Sequence, residues 1–426
     1  MNRLFPLLLL SYCSFSSVLL AETTDTTNAL SAAESELIAL VDEFHDELSV
    51  FRSARNKLED RQAQIDYSIK NDPAKDYLPN LLAFEAKYSG QDVGIDALNE
   101  IVSRAAQGGL LESPAVKARR EVLERLPAYE DRPLAIGPIY RLKFGRYDPL
   151  IYDYLDRVGI SRDAHPIVSA SSRYVLAISV LERRAWRMES ERRLKELAMG
   201  ADQLIPNEED SIREFISGSP SLTEYDARRD KAIKILEELA DSGKSFQLPV
   251  IRGVDPTNRI SRINIELSKT APYLSDKAAA MLFREKNLRV GTIAPNLEVE
   301  LLNGDTWSSE AHRGQVIVIQ FSFTGCGPCE DMYPDLRELR SEYNHRLSIL
   351  SLMRDETDKH AREAIESGKL TWDIAVDGDP GRITARWGVT GFPEVYVIGK
   401  DGRIAYTELR DEALKTKVAE LIELEP

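Results

Sequence analysis

The chain has 426 residues, more than one hydrophobic core usually organises, so two or more domains are expected. A formal charge of −15 argues against nucleic acid and anionic lipid surfaces as partners, and 43% hydrophobic residues is a globular composition. These values leave the fold open.

Asn2 and Arg3 precede an apolar run from Leu4 to Leu20, and Ala21 before Glu22 supplies a small residue at a cleavage position. Residues 1–21 therefore read as a signal peptide. The run is shorter and richer in serine than a membrane span, which favours a cleaved signal over an uncleaved membrane anchor. Tyr12 stands where glycine or alanine would precede a lipidated cysteine, which disfavours lipidation of Cys13. The expected compartment is the periplasm or cell envelope, oxidising enough for disulfides. Cleavage removes Cys13 and leaves Cys326 and Cys329 as the cysteines of the mature protein.

Residues 22–70 read as one long amphipathic helix. Leu37, Val41, Phe44, Leu48, Phe51 and Leu58 recur at alternating four and three spacing, with Arg55 interrupting the stripe. Such a seam packs on its own domain or dimerises two chains. Residues 71–288 read as an α-helical domain, with helices near 74–88, 94–106, 113–126, 149–157, 169–199 and 222–241. Asp72-Pro73 and Ser113-Pro114 are start signals; Gly108-Gly109 and Gly243 are stops. No strict repeat period appears, so an irregular helical array is expected. The Arg/Glu-dense stretch from Glu182 to Glu196 reads as a salt-bridged solvated face. Gly243-Lys244-Ser245 lacks the earlier glycine of a phosphate-binding loop, since position 238 is Glu238, and reads as a helix stop.

Residues 289–426 alternate strand and helix. Strands are expected at Leu297–Leu302, Gln315–Phe323, Leu347–Met353, Trp372–Val376, Glu394–Ile398 and Arg403–Tyr406. Helices are expected from the cysteines to about Tyr343, at Asp358–Ser367, near Ile383–Trp387 and from Asp411. Asp401-Gly402 marks a hairpin, and a central sheet flanked by helices follows. The fold class is thus multidomain, an irregular α-helical array followed by an α/β domain.

Two cysteines two residues apart form either a redox-active dithiol or half of a metal site. His45, His165, His312, His345 and His360 are scattered without metal-ligand spacing, so no metal is expected. No other cofactor is expected; the redox-active element is the Cys326–Cys329 pair itself.

Gly291-Thr292-Ile293-Ala294-Pro295 before the first strand, Cys326-Gly327-Pro328-Cys329 at a strand-to-helix junction, and Gly388-Val389-Thr390-Gly391-Phe392-Pro393 before a later strand resemble the thioredoxin-fold domains of the TlpA/ResA group of exported bacterial thiol-disulfide oxidoreductases. Glu85-Ala86-Lys87-Tyr88 and the helix leading into Gly291 also resemble the amino-terminal extensions of some large members, which carry no known chemistry.

The resemblance implies a protein disulfide reductase of the cell envelope, with apocytochrome c among the candidate substrates and a membrane electron donor as partner. A thiolate attacks a disulfide, and the first cysteine of such a motif sits at a helix start that favours negative charge, so Cys326 is the expected nucleophile. Cys329, one turn on, resolves the mixed disulfide. Gly327 and Pro328 open the helix. Pro393 is expected in the cis form facing the cysteines, exposing the backbone of Phe392 to a substrate strand. Gly-Pro between the cysteines matches reducing thioredoxins, near roughly −270 mV, rather than strong oxidants near about −120 mV.

Three departures stand out. Gly325 replaces the family's usual tryptophan, Gln320 replaces the buried acid of ordinary thioredoxins, and Met332 replaces a glutamate common in TlpA/ResA-like chains. Glu330, Asp331 and Glu394 are the substitute candidates for a proton acceptor. Acids opening a helix also serve as simple dipole partners, and a carboxylate near Cys326 raises its pKa. Two rival functions remain: a scaffold whose thioredoxin-like domain does not turn over, and a thiol peroxidase, for which Thr324 is displaced from the usual position.

Overall fold

The computed structural model describes residues 31–58, 61–105, 114–144, 147–200, 208–248, 273–379 and 381–424. The segment 1–21 read as a signal peptide, with Cys13, lies outside them.

Eleven helices are described before residue 288: α1 Ala32–Asn56, α2 Arg61–Asn71, α3 Ala74–Lys87, α4 Asp92–Ala105, α5 Pro114–Arg125, α6 Ile136–Arg141, α7 Pro149–Gly159, α8 Pro166–Ala198, α9 Glu208–Ser217, α10 Leu222–Ala240 and α11 Leu274–Asn287. Residues 22–70 are therefore not one helix. The first starts at a capping box in which the Ser31 hydroxyl accepts from Glu34 N–H and the Glu34 carboxylate accepts from Ser31 N–H. It ends at Asn56: Phe51 is its last buried residue, and Leu58, the next member of the stripe, is only half-buried. Leu37, Val41 and Phe44 join the core of the helical domain, with the Phe44 ring stacked on Tyr77 at 3.9 Å. The chain's own α2, α3 and α4 pack along the seam, with Phe51 stacked on Tyr67 of α2 at 5.6 Å.

The Glu85–Tyr88 motif is a staple. Glu85, 2% exposed, accepts from Arg125 and from the Tyr129 hydroxyl at 2.6 Å, which ties α3 to α5 and the turn after it. Lys87 and Tyr88 both reach the Glu36 carboxylate at 2.7 Å, which ties the end of α3 to α1. The Arg/Glu stretch of α8 forms the expected Arg187–Glu191, Arg192–Glu189 and Arg192–Glu196 pairs, but it is not a solvated face: Arg183 and Arg193 are buried, and Arg187 also donates to the Ile216 and Ser219 carbonyls at and just after the end of α9.

Beyond residue 288 the strands are β1 Glu298–Glu300, β2 Thr306–Ser308, β3 Val316–Ser322, β4 Leu347–Met353, β5 Asp373–Val376, β6 Glu394–Ile398 and β7 Ile404–Thr407. The first two form a hairpin, and the others form one sheet in the order β5-β4-β3-β6-β7. The β3, β4 and β5 strands run parallel; β6 is antiparallel to both β3 and β7. Helices α12 Gly327–Glu330, α13 Tyr333–Tyr343, α14 Lys359–Glu366, α15 Arg382–Arg386 and α16 Asp411–Glu423 complete the domain.

Every residue of β3 is buried, and alternate side chains enter different clusters. Val316 and Val318 pack with Met332, Leu336 and Leu414 on one face. Ile317, Ile319 and Phe321 pack with Trp387, Tyr396 and Leu288 on the other. The helical region meets the domain on this second face. Arg284 of α11 pairs with Glu394 at 2.6 Å, and the Arg386 guanidinium lies over the Phe283 ring at 4.8 Å. The connecting segment then adds to the sheet edge, with Gly291 N–H donating to Ile404 O and Ala294 N–H to Gly402 O.

Candidate active site

The strand β3 delivers the chain to the cysteines through a clamped loop. After Ser322, the Thr324 N–H and hydroxyl both donate to the Asp355 carboxylate, at 3.0 and 2.9 Å. Gly325 then turns the chain with φ of +82°, in the left-handed region where a residue with a Cβ is disfavoured. The glycine that stands for the family's tryptophan is therefore set by backbone geometry.

Cys326 caps α12, and its carbonyl accepts from the N–H groups of Cys329 and Glu330, each at 3.0 Å. The two cysteines are joined as a disulfide with Cα atoms 5.2 Å apart. Neither cysteine has exposed surface, while Gly325 and Gly327 beside them are exposed. The helix expected to run from the cysteines to Tyr343 is broken after Glu330 and resumes at Tyr333. Pro334 accounts for the break: it has no N–H for the carbonyl of Glu330, and its ring would clash there, so it fits only a new first turn.

The Phe392–Pro393 peptide is cis, at the start of β6. The loops carrying Phe323 and Phe392 meet through an edge-to-face ring contact at 5.3 Å, and the Arg354 guanidinium lies over Phe392 at 5.9 Å. Arg354 is held in turn by Asp379 at 2.8 Å. Both phenylalanines are half-buried, so an aromatic pair stands near the dithiol although Gly325 offers none.

Beneath Cys329 lies a neutral chain of hydrogen bonds. Trp372 Nε1 donates to the Ser351 hydroxyl at 2.9 Å, Ser351 donates to Gln320 Oε1 at 2.8 Å, and Gln320 Nε2 donates to the Cys329 carbonyl at 3.4 Å. Gln320 Nε2 also lies 3.7 Å from the Met332 sulfur. Each of these buried groups has a partner, and none of them ionises. Arg410 Nη1 donates to the Met332 sulfur at 3.3 Å, and Arg410 Nη2 donates to the Pro393 carbonyl. One guanidinium thereby links the residue three past Cys329 to the cis-proline.

The three candidate acids occupy different settings. Glu330 pairs with Lys369 at 2.6 Å on the rim of a cavity of about 240 Å³ that Thr324, Tyr333 and Met353 also line. Asp331 is exposed. Glu394 is buried, paired with Arg284 and accepting from the Tyr396 hydroxyl, so it meets the dithiol region as half of an ion pair. Burial is the largest single influence on Arg284 and works against its charge, but Glu394, Tyr396 and Glu408 together outweigh it and the guanidinium's pKa is raised. Burial foremost pushes the Tyr396 hydroxyl well above its ordinary value, with the Glu394 charge adding to it.

Arg284, Arg354, Asp355 and Arg410 are not among the residues that the sequence singles out. They come from three separate segments, Arg354 and Asp355 being neighbours after β4, and no local pattern marks them.

Residues 290–407 match the AhpC/TSA family. Thiol-disulfide oxidoreductase ResA of Bacillus thuringiensis is 29% identical over 140 residues, covering 33% of this chain and 80% of that protein. Thiol:disulfide interchange protein CycY of Rhizobium leguminosarum is 34% identical over 97 residues, covering 22% of this chain and 50% of the relative. The solved thioredoxin domain of a Bacteroides vulgatus thiol-disulfide oxidoreductase is 24% identical, covering 32% of this chain and 100% of that one, with a TM-score of 0.30. The dithiol on β3 and α12, the cis-proline before β6 and the sequence match converge: this chain carries, after its helical region, a thioredoxin-fold AhpC/TSA-family domain of the thiol-disulfide oxidoreductase kind.

Proposed function

We propose that the protein reduces disulfides of exported proteins in the cell envelope, with Cys326 as nucleophile and Cys329 as resolver. The observation that carries this reading is the Cys326–Cys329 disulfide at the end of β3 with the cis Phe392–Pro393 peptide on the paired strand.

In the reduced enzyme the Cys326 thiolate attacks one sulfur of a substrate disulfide. That S–S bond breaks, one substrate sulfur leaves as thiolate and takes a proton, and a mixed disulfide with Cys326 forms. Cys329 loses its proton and attacks Cys326 Sγ, releasing the second substrate thiolate and forming the Cys326–Cys329 disulfide. Two electrons have passed to the substrate. A dithiol donor at the membrane returns them by the same exchange in reverse. Because the network around Gln320 holds no ionisable group, the Cys329 proton leaves to solvent or to the departing substrate thiolate. Phe392 and Pro393 offer the backbone edge on which a substrate strand docks, and Phe323 and Phe392 the apolar contact beside it.

Export rests on the amino-terminal segment. Among the described residues no helix is long and apolar enough to cross a membrane.

The test uses the full-length protein and an insulin-type disulfide substrate. Wild-type protein primed by dithiothreitol reduces it, Cys326→Ser abolishes the reaction, and Cys329→Ser accumulates mixed disulfides that mass spectrometry identifies from a cell-envelope fraction. A dithiol potential near that of strong oxidants, about −120 mV, overturns the reducing direction. Peroxide consumption at substrate-level rates would instead indicate a thiol peroxidase.

A further inference from the structure

The helical region touches the redox domain at one chemically unusual place. Arg284, projecting from α11, donates through Nη1 to the Trp387 carbonyl at 3.3 Å, the Gly388 carbonyl at 3.2 Å and the Glu394 carboxylate at 2.6 Å. These three acceptors bracket the segment that ends in the cis-proline. Gly388 leaves the space for this approach: a Cβ there would stand 2.8 Å from Arg284 Cδ, and its φ of +64° independently favours glycine. On the other side of the same loop the Arg410 guanidinium holds the Pro393 carbonyl. The loop's geometry is thus fixed by two arginines, one of which belongs to the helical region.

Glu394 is the residue after Pro393, and it is buried. An unpaired carboxylate there would place an uncompensated negative charge in a low-dielectric setting close to the reacting end of β3, where it opposes thiolate formation. Tyr396 donates one hydrogen bond to it but carries no charge. Two further charged groups stand at this strand end, Glu408 and Arg410, 3.4 Å apart; the Glu408 carboxyl is pushed up to about 7 by desolvation first and by Glu394 next, and it adds to the negative charge that Arg284 faces.

We infer that Arg284 is a positioning residue through which the helical region sets the cis-proline loop: it holds the loop carbonyls in place for a substrate strand and cancels the charge of Glu394. The two actions separate by substitution. Lysine keeps the charge, but its side chain ends one bond short of the Nη1 position that meets all three acceptors. Removing both charges restores neutrality but not the grip on the carbonyls.

The inference rests on the dithiol reading above, and the experiment distinguishes the two. Full-length variants are compared for steady-state reduction of a disulfide peptide and for the pH midpoint of Cys326 alkylation by iodoacetamide in the reduced protein. Arg284→Gln is expected to raise KM about tenfold, the loss of roughly one charged hydrogen bond, and to move the alkylation midpoint up by about one unit. Arg284→Lys is expected to raise KM with the midpoint near wild type. The Arg284→Gln/Glu394→Gln double variant is expected to return the midpoint while KM stays raised. A folded Arg284→Gln protein with wild-type KM and wild-type midpoint overturns the inference, as does a KM fully restored in the double variant. If Arg284→Gln does not fold, the lysine and double variants decide by the same criteria. Failure of the wild-type protein to reduce the peptide, or reduction that survives Cys326→Ser, refutes the dithiol reading itself.

Discussion

The two regions of the molecule treat buried charge in opposite ways. The helical region buries Glu85, Glu100, Arg119, Arg141, Lys143, Arg183, Arg193 and Glu285. In the redox domain the buried polar groups are Gln320, Ser322, Ser348, Ser351 and Thr384, all neutral, and among the described residues the one buried charged side chain is Glu394. That exception is paired with an arginine of the helical region. A helical array without a repeat can use buried ion pairs to fix which helix meets which, whereas charge around a dithiol changes its chemistry directly. The difference teaches that the redox core is kept electrically plain, and that its one charge is governed from outside the domain.

The largest expected effect breaks the helical side of this comparison. Glu85→Ala removes the acceptor of both Arg125 and the buried Tyr129 hydroxyl. Arg125 is partly exposed and recovers some water, so the loss is put at about 3 kcal/mol rather than the upper end for buried pairs. Denaturant unfolding checks it, and below the transition disulfide reduction should be unchanged.

Next comes a charge placed where the redox domain has none. Gln320→Glu sets a carboxyl below Cys329, and burial raises its folded pKa above the unfolded value of about 4.3. Below that value both states are protonated and the charge term is absent. Above it the unfolded state ionises first, so stability falls by about 1.4 kcal/mol per pH unit until the folded pKa is reached. The variant should therefore be near wild type at pH 4 and clearly weaker at pH 7. Thermal melts across that range test it, and equal destabilisation at both ends would assign the loss to packing alone.

How much of this was legible in the sequence depends on the range of the interaction. The apolar runs of β3 and β4 are visible because burial on both faces leaves no polar residue at alternate positions except Gln320 and the serines. The Cys326–Cys329 spacing and the Phe392-Pro393 step are short motifs, and the structure brings their loops together. The single helix expected over residues 22–70 ends at Asn56, with only a half-buried Leu58 to continue its stripe, and the helix after the cysteines fails because Pro334 needs a first turn of its own. The strand β2 is three residues long with one buried side chain, Trp307, too short for any periodicity. Arg284 and Glu394 are 110 residues apart, and only the folded chain makes them partners.

A smaller effect sharpens the comparison within the helical region. Asp96 is partly buried, and its pKa is raised to about 7, by burial first and then by Asp92 and Glu34. The sign is that of the Gln320→Glu case: the native state holds a proton that the unfolded state has released, so Asp96 weakens the fold increasingly as pH rises from about 4 through 7. Asp96→Asn should stabilise the protein by about 1–2 kcal/mol at pH 8, a value discounted for the residue's contact with water, and by nothing at pH 4. A gain that is the same at both pH values would mean that the carboxylate is already well solvated.

The smallest effect concerns charge that both regions leave in solvent. Lys369 and Glu330 are 2.6 Å apart beside the cysteine turn, with side chains 44% and 34% exposed. At that exposure, water and salt screen the pair, so Lys369→Ala should cost under about 0.5 kcal/mol. Its value lies in the contrast with Arg284. Both cations contact an acid directly following a motif residue, Glu330 after Cys329 and Glu394 after Pro393. If position in sequence mattered most, the two substitutions would perturb Cys326 alkylation alike. If burial decides, Lys369→Ala moves the alkylation midpoint by less than about 0.2 units while Arg284→Gln moves it several times further, because only the buried pair interacts through a medium that does not screen it.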